Sequence, residues 1–155
     1  MSSETVKGAR FGHVNVIAED WRRLADFYRR VFGCEFVPPE RDYQGDDLSR
    51  GTGVTEAAVR GVHLRLPGHG DHGPTIEIYT YATVEERLTA AANRLGFGHI
   101  AFAVDDVPAA REGVLAAGGR VVGDIVTLTT ATGSRVTWCY VTDPEDNMIE
   151  LQAWS

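Results

Sequence analysis

The stretch "FGHVNVIAED" (Phe11–Asp20) returns as "FGHIAFAVDD" (Phe97–Asp106), so one phrase is written twice with a histidine at its third place each time. Either a duplicated core strand has kept its packing, or the two histidines serve chemistry at one shared place. After the first phrase, "DWRRLADFYRRVFG" sets Trp21, Leu24, Phe27, Tyr28, Val31 and Phe32 at helical spacing, with Asp20 as cap and Gly33 as stop. After the second, "DDVPAAREGVLAAGG" predicts a helix capped by Asp105 or Asp106, with Pro108 in its first turn and Gly118-Gly119 ending it. The order strand then helix is therefore repeated.

Further strands complete each half. "AVRGVHLRLP" and "PTIEIYTY" read as a hairpin across the turn "GHGDHG", and "RVTWCYVTD" and "NMIELQAW" as a hairpin across "PED". One more strand is expected around Glu35–Val37 and another around Val121–Leu128, so each half reads βαβββ. The fold class is α+β: two tandem βαβββ modules, over 9–82 and 97–155, joined by a linker at 83–96, with sheets curled around a shared concave cavity as one compact unit. Thr83 and Glu86 suggest a capping box and a short helix in the linker. The first half is the longer one. Its surplus falls in "RDYQGDDLSRGTGVTE", about 41–56, a polar stretch read as a long loop, either a lid or a disordered insertion with the lid slightly preferred, and with Tyr43 and Arg50 as lid residues that touch substrate.

Alternation along a strand decides which side chains share a face. His13 and Asn15 oppose Val14 and Val16, and His99 opposes Ile100, Phe102 and Val104. Glu77 and Tyr79 oppose Ile76 and Ile78, and Glu150 and Gln152 oppose Ile149 and Leu151. The apolar faces are expected under the two amphipathic helices, which leaves two imidazoles and two carboxylates looking into one cavity. An ionised carboxylate in a core strand is costly unless it is paired or bound to a metal. The pattern points to a divalent cation held by two nitrogens and two oxygens. Taken singly, a His or Glu on a strand is more often a satisfied or solvent-facing side chain; recurrence at matched places favours the metal.

With these paired halves, the "GHV" and "GHI" openings and the closing "DPEDNMIEL", the chain resembles the vicinal oxygen chelate superfamily over almost its whole length, Phe11 to Trp154. That superfamily includes glyoxalase I, methylmalonyl-CoA epimerase, extradiol dioxygenases and the fosfomycin and bleomycin resistance proteins. The resemblance implies His13, Glu77, His99 and Glu150 as metal ligands. Such a set suits Zn, Ni, Co, Mn or Fe(II). Two open positions remain in six-coordination, which suits Lewis-acid enolisation of a small-molecule carbonyl substrate, with Glu77 or Glu150 as the base. A fourth protein ligand leaves too little room for both catechol and oxygen, so an extradiol-type dioxygenase ranks third. Methylmalonyl-CoA epimerase typically has Gln where Glu77 stands, and the pattern is nearest to bacterial glyoxalase I-like lyases or isomerases. The alternative is a non-catalytic, bleomycin-resistance-like protein that binds an antibiotic or metabolite; such binders usually lack the metal ligands. The resemblance also implies a homodimer.

On "VRGVHLRL", His63 and Arg65 fall on the cavity side, and Trp138 and Tyr140 are read as their counterparts in the second half. Arg65 would meet an anionic group and Trp138 a flat or apolar one, against the plainer reading of a solvated Arg and a packed Trp. His69 and His72 sit in a wet turn.

Bulk properties narrow the partners. The formal net charge of the 155 residues is -7, which disfavours nucleic acid. No run approaches the roughly 20 apolar residues of a membrane span, and "MSSETVKGAR" lacks the apolar run of a leader, so a cytoplasmic location is expected. Cys34 and Cys139 form no CxxC and read as reduced structural thiols.

Overall fold

A computed structural model describes residues 6–155 of the chain; the first five, part of the stretch searched for a leader, lie outside the described residues. Nine strands and three helices follow in the order β1(His13–Ile17), α1(Trp21–Phe32), β2(Glu35–Gln44), α2(Asp46–Thr52), β3(Ala58–Arg65), β4(Thr75–Tyr81), β5(Ile100–Ala103), α3(Val107–Ala116), β6(Arg120–Val121), β7(Val126–Thr129), β8(Arg135–Thr142) and β9(Met148–Trp154). The α+β class and the repeated strand–helix order are as expected. By their contacts the described residues fall into two compact units, 6–21 with 33–82 and 22–32 with 83–155. Helix α1 from Arg22 onward therefore belongs with the second unit.

In the first unit a four-stranded sheet runs β1-β4-β3-β2, with β1 parallel to β4 and the other pairs antiparallel. Period-two burial is strict at its centre. Val62, Leu64, Ile76 and Ile78 are at most 3% exposed, while their neighbours His63, Arg65, Glu77 and Tyr79 are only half-buried on the other face. The N–H of Trp21 donates to Thr80 Oγ1 at 3.1 Å, which ties the start of α1 to β4.

The stretch around 41–56 is not the expected loop. Strand β2 continues past an irregularity between Val37 and Arg41 and pairs Arg41, Asp42, Tyr43 and Gln44 with Gly61, Arg60, Val59 and Ala58. Pro38 and Pro39 sit inside that irregularity, where a missing N–H costs no ladder bond. The remainder forms α2, with Asp46 and Asp47 at its positive end and Gly53 closing it in the left-handed region at φ 71°. Tyr43 therefore belongs to a strand, and Arg50 to a helix, where it faces Asp47 at 3.5 Å.

In the second unit the sheet runs β5-β9-β8-β6, and β7 also pairs with β8. The single strand expected over Val121–Leu128 is two short ones, broken at the residues around Gly123-Asp124, where glycine and aspartate interrupt strand geometry. Asp106 caps α3 by accepting from the N–H of Ala109 at 2.9 Å. The helix packs on β8 and β9, with Val107 and Val114 at most 1% exposed. From α1, Phe32 stacks on Phe102 with centroids 3.9 Å apart, and the Tyr28 hydroxyl donates to Asp143 Oδ2 at 2.9 Å. Asp143 also accepts from the N–H groups of Glu145 and Asn147 and from Asn147 Nδ2. The linker holds no helix over 84–96. Its N–H of Ala90 goes instead to Asp146, and the Arg94 guanidinium to the Thr89 carbonyl, and a segment this short gains little from helix formation alone.

Both cysteines are buried and free. Burial pushes the Cys34 thiol up to about 12. Because the folded thiol holds its proton more tightly than the unfolded one, its contribution to stability is full below the ordinary value of 9.0 and is lost as pH rises toward about 12. Both thiols should resist a disulfide-exchange reagent at mildly alkaline pH until denaturant is added; rapid labelling of the native protein would contradict their burial. Asp143→Ala would leave a buried hydroxyl and three N–H donors without their acceptor, and urea unfolding should show a loss of about 2–4 kcal/mol.

Candidate functional site

Each unit presents the histidine of its repeated phrase beside one carboxylate on one face of its sheet, and the first unit adds a second histidine, His63. In the first, β1 and β4 run parallel with Asn15 opposite Glu77, and His13 one pleat earlier on the same face. Glu77 is 12% exposed; its Oε2 stands 3.4 Å from His13 Nε2 and accepts from Asn15 Nδ2 at 3.2 Å. Its Oε1 stands 3.0 Å from His63 Nε2, because β3 pairs His63 directly with Glu77. His63 Nε2 is also 2.6 Å from the Tyr79 hydroxyl. In the second unit, Glu150 Oε2 stands 2.8 Å from His99 Nε2, and Glu150 is 18% exposed. Tyr140 lies opposite Glu150, with its ring 5.0 Å from that of His99 and 5.0 Å from that of Trp138.

Burial dominates the electrostatics of the flanking groups. It lowers His63 below the usual imidazole value; the Glu77 carboxylate opposes the shift, and Arg41 and His13 add to it. Tyr79 is pushed up to about 12 by burial first and by the Glu77 charge second. Tyr140 is raised by burial and then by Glu150. His63 is therefore largely neutral and both phenols stay protonated at ordinary pH.

The ligand set read from the sequence is thus gathered as two pairs, His13 with Glu77 and His99 with Glu150. Among the described residues no group of three or more His, Cys, Asp or Glu side chains is disposed to hold a metal ion. The pairs themselves fit one. Two donors bound about 2.1 Å from a cation at right angles stand about 3 Å apart, and the separations of 3.4 Å and 2.8 Å bracket that spacing. Imidazole nitrogen with carboxylate oxygen is also a donor set that first-row divalent ions accept.

The residues proposed for substrate divide. His63 touches the Glu77 carboxylate, Arg65 faces Glu35 at 3.4 Å, and Tyr43 lies on the same face, where its charge would raise Tyr79. Strand register corrects the match between halves: Tyr140 corresponds to His63, but Trp138 corresponds to Gly61, and Arg65 corresponds to the buried Thr142. Asn15, Arg41 and Tyr79 were missed as site residues, although Asn15 and Tyr79 carry a signal in their shared parity with His13 and Glu77. A cavity of about 390 Å³ in the second unit, between the end of α1 and the Ala/Gly face of α3, holds none of the site residues. The cation at its rim, Arg30, is already paired with Asp26 at 3.0 Å.

Comparison with known proteins gives the family and the fold. Residues 10–151 match the family model described as Glyoxalase/Bleomycin resistance protein/Dioxygenase superfamily. The chain is 32% identical over 145 residues to 2-epi-5-epi-valiolone epimerase from an Actinomyces species, covering 90% of this chain and 76% of that protein. It is 36% identical over 91 residues to a probable lactoylglutathione lyase of Vibrio parahaemolyticus, 57% of this chain and 60% of that one. The crystal structure of a glyoxalase family protein from Bacillus cereus superposes with a TM-score of 0.79 at 22% identity, over 99% of this chain and 98% of that chain, a likeness of fold. Among the described residues no helix is long and apolar enough to cross a membrane.

If Glu77 and Glu150 sit in their histidine pairs as described, His99→Ala should leave Glu150 without its close contact while the far-ultraviolet dichroism of the sheet is kept. Unfolding of the His99→Ala protein in place of that local effect would contradict the placement of His99 ahead of β5, outside the ladder.

Proposed function

Because this chain belongs to the Glyoxalase/Bleomycin resistance protein/Dioxygenase superfamily, also called the vicinal oxygen chelate superfamily, we propose that it is a metal-dependent lyase or isomerase that removes a proton next to a substrate carbonyl. The single observation that carries this reading is the repeated His–Glu pair, His13 with Glu77 and His99 with Glu150, each with its donor atoms near the spacing of neighbouring metal ligands. His13, Glu77, His99 and Glu150 would hold one divalent ion of the series Zn, Ni, Co, Mn and Fe(II). When bound, such an ion would polarise the carbonyl and offset the negative charge that develops on its oxygen.

The chain's own residues supply the rest. Glu150 takes the proton, because among the described residues its close polar partner is the His99 ring, whereas Glu77 is engaged by His13, Asn15 and His63. Trp138 and Tyr140, edge to face beside Glu150, offer an apolar wall to the substrate carbon skeleton. Arg65, whose ion pair with the exposed Glu35 is worth under about 1 kcal/mol, can turn to an anionic substituent. An epimerase and a lyase are the names of the two relatives, and both outcomes follow from one proton removal: delivery of a proton to the opposite face by a donor other than Glu150 inverts a centre, and return by Glu150 to the neighbouring carbon moves a carbonyl. A metal-binding side chain in all four matched places, two imidazoles and two carboxylates, weighs against a metal-free antibiotic binder, and the fourth donor against a dioxygenase.

Elemental analysis of the purified protein, with His13→Ala and Glu77→Ala beside it, should show about one divalent ion per chain and its loss in both variants. With metal restored, the protein should exchange the α-proton of a 2-oxoaldehyde hemithioacetal or a cyclic α-hydroxy ketone into deuterated water. Glu150→Gln should lower that rate about 10²- to 10⁴-fold. No metal in any preparation, or full exchange by Glu150→Gln, would overturn the reading.

A further inference from the structure

We propose that Asn15, His63 and Tyr79 form a positioning clamp on the Glu77 carboxylate, and that Gly61 is the residue that lets the clamp close. The proposal rests on the reading of Glu77 as a ligand and says how the chain keeps it one. Both carboxylate oxygens are engaged from the protein side, Oε2 by the Asn15 amide at 3.2 Å and Oε1 by His63 Nε2 at 3.0 Å. A carboxylate only accepts, so the clamp requires the ring proton on Nε2, where the Tyr79 oxygen at 2.6 Å and Glu77 Oε1 share it as acceptors.

Sheet geometry explains how Tyr79 reaches His63. Register places Tyr79 opposite Gly61 and Glu77 opposite His63, so the phenol must lean along the sheet to the next pair on its face. A Cβ at Gly61 would overlap the Tyr79 ring and the Ile78 carbonyl oxygen. The ring thus lies across β3 in space that only glycine leaves open.

The clamp is not a by-product of the repeat. In the second sheet Ala101 stands where Asn15 does, Tyr140 where His63 does, Gln152 where Tyr79 does and Trp138 where Gly61 does. All four clamp positions differ while the His–Glu pair is kept. One carboxylate is therefore anchored and the other left able to move, a division that a site needing one permanent ligand and one base requires.

The test uses the full chain. Metal-free protein is titrated with Zn(II) against a coloured chelator, for the wild type and for Tyr79→Phe, His63→Gln, Gly61→Ala and, on α1 away from the site, Arg30→Ala. The first two should weaken Zn(II) about 10- to 100-fold, as removal of groups that orient a ligand does; Gly61→Ala should follow them and Arg30→Ala should match the wild type. Tyr79→Phe keeps the ring and removes only the hydroxyl, so it guards against misfolding of Gly61→Ala. Equal affinity in wild type and Tyr79→Phe, with only the unfolding temperature lowered, would overturn the clamp and leave the metal site standing. Loss of Zn(II) in His63→Gln as complete as in His13→Ala would make His63 a ligand and overturn its positioning role. A wild type that binds no Zn(II), Mn(II) or Ni(II) would remove the functional reading itself. Independently of metal, long-range proton–nitrogen spectra of the metal-free protein should place the His63 proton on Nε2; a proton on Nδ1 would overturn the arrangement.

Discussion

Two carboxylates sit where a strand offers them no alternative. Ile76 and Ile78 are fully buried, as are Ile149 and Leu151, and side chains alternate along a strand, so Glu77 and Glu150 must emerge on the opposite face. There they are 12% and 18% exposed, too little for water alone to meet the demand of an ionised group. Each is met by an imidazole from the neighbouring parallel region, His13 ahead of Asn15 on β1 and His99 just before β5. Core packing fixes the direction of the carboxylate, and the carboxylate in turn fixes what can stand beside it.

From that common frame the two halves diverge. The first surrounds its carboxylate with an amide, a second imidazole and a phenol; the second surrounds it with aromatic rings and an alanine. Burial favours a neutral His63 against the opposing pull of the Glu77 carboxylate, and burial and that charge together keep Tyr79 protonated. A duplicated scaffold can in this way supply one rigid and one mobile acid from the same pair of positions. The family's name covers lyases, binding proteins and oxygenases, and this division of labour is the feature on which the proposed proton transfer rests.

Much of this was legible in the sequence, for definite reasons. Period-two alternation around Ile76–Tyr79 and Ile149–Gln152 gave the strand faces, and the 3.6-residue stripe of Trp21, Leu24, Phe27 and Tyr28 gave α1. Periodicity names a buried face but not its partner, so nothing in it revealed that α1 packs on Phe102 and Asp143. Pro38-Pro39 and the polar run after it concealed the continuation of β2, because pairing through an irregularity leaves no local signal. Gly123 marked the break between β6 and β7 but was read through. Asn15 and Tyr79 had the right parity; their roles depend on which residues face each other across strands, and register is set by three-dimensional pairing that one sequence does not record. The mismatch of Trp138 with Arg65 has the same origin.

The measurement that bears most directly on the whole account is X-ray absorption of the protein reconstituted with one equivalent of Zn(II) or Mn(II). The account predicts a coordination shell of two imidazole nitrogens with oxygens at carboxylate distances and no sulfur, since Cys34 and Cys139 are buried with their thiols raised. A shell containing sulfur, or one made of water oxygens without imidazole, would contradict it.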